Sequence, residues 1–165
     1  MSRLFVAVWL PSDVVALVAD LPRDDLPRLR WTTPAQWHVT LRYLGEVDEV
    51  LAQAAFDSVE AAPAAAELGP VVERLEPGLV VVPVVGLDAL AAAVLEATGG
   101  IGEPPHPDGF RGHLTLARQR EGTSTSADGV ACSARFVVDE IALVRSELHH
   151  DGARYTTVTR RRLTT

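Results

Sequence analysis

The chain has 165 residues, 47% apolar and 22% charged, which is ample for a hydrophobic core and unlike a disordered chain. Its net charge of −7 argues against a protein that coats nucleic acid by bulk attraction. The single cysteine, Cys132, excludes an intramolecular disulfide and a cysteine-built zinc site.

The length fits one domain, 1–165, with two lobes. "RLFVAVWL" (3–10) reads as a short strand closed by Pro11, too short an apolar run for a signal peptide or a membrane span. A cytoplasmic protein that avoids the membrane and works as a monomer is the expectation. "SDVVALVADL" (12–21) sets Val14, Leu17, Val18 and Leu21 at helical spacing, with Ser12 or Asp13 placed to cap. After the turn-rich "PRDDLPRLR", "WHVTLRYLG" is a strand ended by Gly45. "DEVLAQAAFDSVEAA" (48–62) predicts a second helix with Val50, Leu51, Ala54, Ala55 and Val59 on one face. Strands follow around "GPVVERL" and "GLVVVPVV", then a helix from Leu87 to Thr98 stopped by Gly99 and Gly100.

The Pro- and Gly-rich "IGEPPHPDGFRG" is a loop feeding directly into the strand "HLTLAR", and "EGTSTSADG" (121–129) is a flexible surface loop. "ARFVVDEIALVRSEL" (134–148) carries strand-like apolar residues, "HHDG" makes a turn, and "ARYTTVTRRRL" closes as an alternating strand. The predicted class is α+β: two similar lobes of antiparallel sheet plus helices flanking a central groove. Charge divides unevenly along the chain, since residues 1–100 hold 6 arginines against 14 acids and residues 101–165 hold 9 against 8. There is no lysine.

The lobes are inferred from one repeated tetrad, His38-Val39-Thr40-Leu41 and His113-Leu114-Thr115-Leu116. A shuffled chain of this composition holds roughly 0.08 such tetrads, so two copies point to a site rather than chance. Along a strand side chains alternate, so His38 and Thr40 share one face and Val39 and Leu41 the other; the second copy sorts identically. The apolar face covers a helix. The polar face suits acid–base work on a phosphate: one neutral imidazole takes a proton, the other, protonated, gives one, and the threonines donate to non-bridging oxygens. No metal or cofactor is required, because no third ligand stands near either strand; His106 is the nearest candidate.

These tetrads resemble those of the 2H phosphoesterase superfamily, and within it the RNA 2′,3′-cyclic phosphodiesterases formerly called 2′–5′ RNA ligases. "RLFVAVWLP" resembles the opening strand of that family, "WHVTLRYLGEV" its first motif, "HLTLAR" its second, and "SELHHDGARYT" its C-terminal segment. Gly112 departs from the proline common before the second histidine. The resemblance implies metal-independent hydrolysis of an RNA 2′,3′-cyclic phosphate end to a 2′-phosphate, with weak reverse 2′–5′ ligation. It implies His38 as proton donor to O3′, His113 as the base on water, and Thr40 and Thr115 as phosphate binders. The sequence itself leaves donor and acceptor interchangeable. It also leaves open a small cyclic nucleotide or ADP-ribose cyclic phosphate as substrate, and a non-catalytic RNA-end binding module.

Supporting residues are read by position. Arg42 follows Thr40 by two and is expected on the imidazole face, within reach of phosphate. Arg118 reaches that face only if its strand bends at Ala117. Tyr155 is placed to stack on a terminal base. Trp37 is read as core, Cys132 as an idle thiol, and His149, His150 and the closing Arg160–Arg162 as solvated groups able to meet RNA.

Overall fold

A computed structural model describes residues 1–120 and 124–165. The elements run β1 (Ser2–Trp9), α1 (Ser12–Ala19), β2 (Leu29–Trp31), a 3₁₀ turn (Pro34–Gln36), β3 (His38–Val47), α2 (Glu49–Asp57), β4 (Ala64–Leu68) and β5 (Glu73–Glu76). They continue with β6 (Leu79–Val85), α3 (Asp88–Thr98), β7 (His113–Gln119), β8 (Ala134–Val138), β9 (Glu140–His149) and β10 (Gly152–Arg162). The strands form one curled sheet in the order β10-β9-β1-β3-β7-β6-β4-β8, with β2 added beside β7 and β5 beside β6. All pairings are antiparallel.

This order contains the two halves. In each, a tetrad strand is innermost (β3 or β7) and pairs with a strand that precedes it through a helix, β1 through α1 or β6 through α3. One face of the sheet is apolar: Leu4, Val6, Val8, Val39, Leu41, Val80, Val82, Leu114 and Leu116 are buried in a single core with Val14 and Val18 of α1, Ala52 and Phe56 of α2, and Leu90 and Val94 of α3. Alternation then forces the tetrad histidines and threonines onto the helix-free face. A smaller cluster of Phe5, Ala7, Ala142 and Val144, with Trp9 and Tyr155 against it, lies on that face.

Several local expectations are corrected. α1 is capped by Pro11, whose carbonyl accepts from Val15 N at 2.9 Å, and neither Ser12 nor Asp13 makes a side-chain cap. α2 is shorter than 48–62; Asp48 caps it by accepting from Leu51 N at 3.0 Å, and it buries Ala52 and Phe56 while leaving Val50 and Leu51 exposed. The strand of the first tetrad runs through Gly45 (φ +73°) to Val47. The 134–148 run is two strands, one in each half, broken at Asp139. β2 and the alanine-rich β4 carry no sequence signal of their own. Part of the 121–129 loop, residues 121–123, lies outside the described residues; beyond it, the Asp128 carboxylate accepts from Thr125 Oγ1 at 3.0 Å.

Candidate active site

β3 and β7 meet through one register pair, Val39 opposite Leu114. Counting outwards in antiparallel register sets His38 against Thr115 and Thr40 against His113, so the tetrads are related by an approximate two-fold. Trp9 and Ala7 flank His38 and Thr40 on β1, and Pro83 and Val81 flank His113 and Thr115 on β6.

The imidazoles are fixed by the same device. His38 Nδ1 lies 2.6 Å from the carbonyl of Gln36, and His113 Nδ1 lies 2.8 Å from that of Arg111, two residues upstream in each case. A carbonyl only accepts, so Nδ1–H donates and Nε2 keeps its lone pair in the neutral ring. Thr40 Oγ1 stands 3.0 Å from His38 Nε2 and donates to it.

Their surroundings differ. His38 is enclosed by rings, with centroids at 4.9 Å to Phe5, 5.7 Å to Trp9 and 5.3 Å to Tyr155. Burial, above all, lowers its pKa to about 4; the Gln36 carbonyl opposes this, and the charges of His113 and Arg118 add to it. In the free protein at neutral pH His38 is therefore uncharged. Tyr155 stacks edge-on to both Phe5 and His38, and burial pushes its phenol pKa up. Trp9 Nε1 donates to Thr157 Oγ1 at 3.2 Å, holding its ring against β10.

Arg42 corrects the sequence reading. Each tetrad strand carries a β-bulge at the last tetrad residue: Ala7 pairs with Thr40 but Val6 with Arg42, and Val81 pairs with Thr115 but Val80 with Ala117. The extra residues, Leu41 and Leu116, reverse the alternation. Arg42 thus turns to the helix side and is 6% exposed. There it donates to Thr98 Oγ1 (3.1 Å), the Ile101 carbonyl (3.2 Å) and the Glu103 carbonyl (3.0 Å). The same bulge turns Arg118 onto the imidazole face, where its charge bears on both His38 and Tyr155. Tyr43 occupies the position equivalent to Arg118 in the first strand and is 45% exposed.

The other candidates separate cleanly. Trp37 is core, its Nε1 donating to Thr32 Oγ1 at 2.9 Å. Cys132 is buried, and burial raises its thiol pKa. Arg160 and Arg162 pair with Glu140 (3.1 Å) and Asp139 (3.0 Å), and Arg161 donates to the Val59 carbonyl, so the closing arginines hold structure. His149 lies 3.5 Å from Glu147, and His106 is exposed beside Asp108. Gly112 follows from a close approach: a Cβ there would collide with the Val84 carbonyl oxygen. Phe5 and Trp9 were not singled out by sequence; the available signal was the alternation of Phe5, Ala7 and Trp9 against Leu4, Val6 and Val8. Among the described residues no group of three or more His, Cys, Asp or Glu could hold a metal ion, and no helix is long and apolar enough to cross a membrane.

The family model for LigT-like phosphoesterases matches residues 8–72, which include the first tetrad. A protein of Geobacillus stearothermophilus named RNA 2′,3′-cyclic phosphodiesterase is 29% identical over 166 aligned positions, covering 89% of this chain. The chain spans about half, 53%, of that relative's length. A crystal structure from Thermus thermophilus superposes with a TM-score of 0.80 at 28% identity, covering 98% of this chain and 97% of that one. Escherichia coli LigT complexed with 3′-AMP superposes with a TM-score of 0.77 at 25% identity, covering 99% of each chain.

Proposed function

We propose, from its likeness to LigT-like phosphoesterases of the 2H superfamily, that the chain hydrolyses RNA 2′,3′-cyclic phosphate ends to 2′-phosphates without a metal, with weak 2′–5′ ligation when an RNA 5′-hydroxyl takes the place of water. The observation that carries this reading is the two-fold pairing of His38-Thr40 with His113-Thr115 across the β3–β7 contact. It supplies two Nε2 atoms and two hydroxyls on one face.

Cleavage of the cyclic ester needs a base on one side of phosphorus and an acid on the other. His113 Nε2 takes a proton from water, whose oxygen bonds to phosphorus. The P–O3′ bond breaks, and O3′ leaves with a proton from His38 Nε2, so the phosphate stays on O2′. Thr40, Thr115 and Arg118 donate to the phosphate oxygens, whose charge rises in the pentacoordinate state. Tyr155, with Phe5 and Trp9, offers an aromatic wall for the terminal base. His38, uncharged in the free protein, becomes a donor once the phosphate anion settles against Nε2 and favours the imidazolium.

The test is turnover of a short oligonucleotide ending in 2′,3′-cyclic phosphate, in EDTA, with the product resolved as 2′- or 3′-phosphate. The expected product is the 2′-phosphate. His38→Ala and His113→Ala should each reduce turnover by about 10²–10⁴-fold, with the circular dichroism spectrum unchanged. Full activity in either variant, or dependence on added metal, rejects the mechanism.

A further inference from the structure

Arg30 and Arg118 stand directly opposite each other across the β2–β7 ladder. Directly opposed residues share a face, so Arg30 lies on the imidazole face, while its neighbours Leu29 and Trp31 pack towards the core. Both arginines are exposed, and among the described residues neither guanidinium has a hydrogen bond or ion pair. Other arginines are engaged: Arg42, Arg145, Arg160, Arg161 and Arg162 all hold carboxylates, carbonyls or hydroxyls. Like charges facing each other across a ladder destabilise it unless an anion lies between them.

The position of Arg30 adds to this. Its Nη1 is 3.7 Å from the place a Cβ on Gly152 would occupy, at the turn that opens β10 three residues before Tyr155. Arg118, on the same face, bears by its charge on His38 and Tyr155. The two guanidiniums therefore carry positive charge along one face from the imidazoles towards the turn that opens β10.

We propose that Arg30, with Arg118, forms a second phosphate subsite that binds the phosphodiester on the 5′ side of the terminal nucleotide. This rests on the hydrolytic reading above and narrows it: the preferred substrate is an RNA chain end rather than an isolated nucleoside 2′,3′-cyclic phosphate. Arginine suits the task because its planar fork meets two phosphate oxygens at once. The chain's negative net charge is no obstacle, since the contact is with one phosphate in a local field.

The experiment compares kcat/KM for a dinucleotide ending in 2′,3′-cyclic phosphate with that for the same dinucleotide joined by an uncharged methylphosphonate. The second base is common to both, so the ratio reads the charge of the linkage alone. The natural chain should favour the charged linkage by about tenfold. In R30A that ratio should fall to within about twofold of unity, and R30K should restore part of it. A ratio unchanged in R30A, or already near unity in the natural chain, overturns the subsite. Calorimetric titration with adenosine 2′-phosphate and adenosine 2′,5′-bisphosphate reads the same subsite without turnover. Tighter binding of the bisphosphate that R30A abolishes supports it even if no cyclic phosphate is hydrolysed, in which case only the hydrolytic reading fails; equal binding of the two counts against it.

Discussion

His38 is held between a carbonyl that favours its protonated ring and an aromatic box that disfavours it, and the box wins. Its pKa in the folded chain is about 4, against 6.5 for a free histidine. The unfolded chain therefore binds the proton first, and stability falls as pH drops from 6.5 towards 4, then levels off. The full stabilisation is present above pH 6.5. The loss from this one residue is on the order of 3 kcal/mol. Urea melts at pH 7 and pH 4.5 should show much of that difference in the natural chain and a smaller one in His38→Gln. An equal acid loss in both would mean the ring is not enclosed as described. At this scale the two histidines and two threonines were legible because the tetrad repeats. Phe5 and Trp9 were not, because an aromatic on an apolar strand reads the same whether it faces a core or a site.

At the scale of elements, two bulges decide which arginine faces the imidazoles. Strict alternation puts Arg42 on the imidazole face and Arg118 on the other; one extra residue in each strand reverses both. A bulge leaves no mark in the pattern of apolar residues here, since Leu41-Arg42 and Leu116-Ala117 look like ordinary strand. Turned inward, Arg42 ties β3 to the end of α3 and to Ile101 and Glu103, where the loop leading to His113 begins. Arg42→Met should remove one buried hydrogen bond, to Thr98 Oγ1, and two partly buried ones, to the Ile101 and Glu103 carbonyls, and cost about 1–3 kcal/mol. A urea midpoint that does not move would show that these bonds are replaced by water. β4 was illegible for a different reason: "AAAEL" has little strand preference and is ordered by its neighbours β6 and β8.

At the scale of the whole molecule, the two-half plan was legible from the tetrads, but the route of the chain was not. The C-terminal run passes from β8 in one half to β9 in the other at Asp139, so the first half is completed only by the last 26 residues. Neither half is a continuous segment. The halves are joined between β3 and β7 by a single register pair, where other neighbouring strands share up to ten.

That narrow join has a consequence for when the protein works. Each half supplies one imidazole, and their relative alignment is set by the single β3–β7 register pair, the core behind it and the Arg42 bonds to the end of α3. Small rotations about the Val39–Leu114 contact would separate the two imidazoles while leaving every helix and nearly every ladder intact. Under rising urea, turnover should therefore fade before the far-ultraviolet circular dichroism changes, and a bound 2′-nucleotide, reaching both halves, should bring the two curves together. Coincident curves without ligand would show that the halves move as one. On the proposed function a bound phosphate would also act as a clasp, with the molecule most fully assembled while the site is occupied.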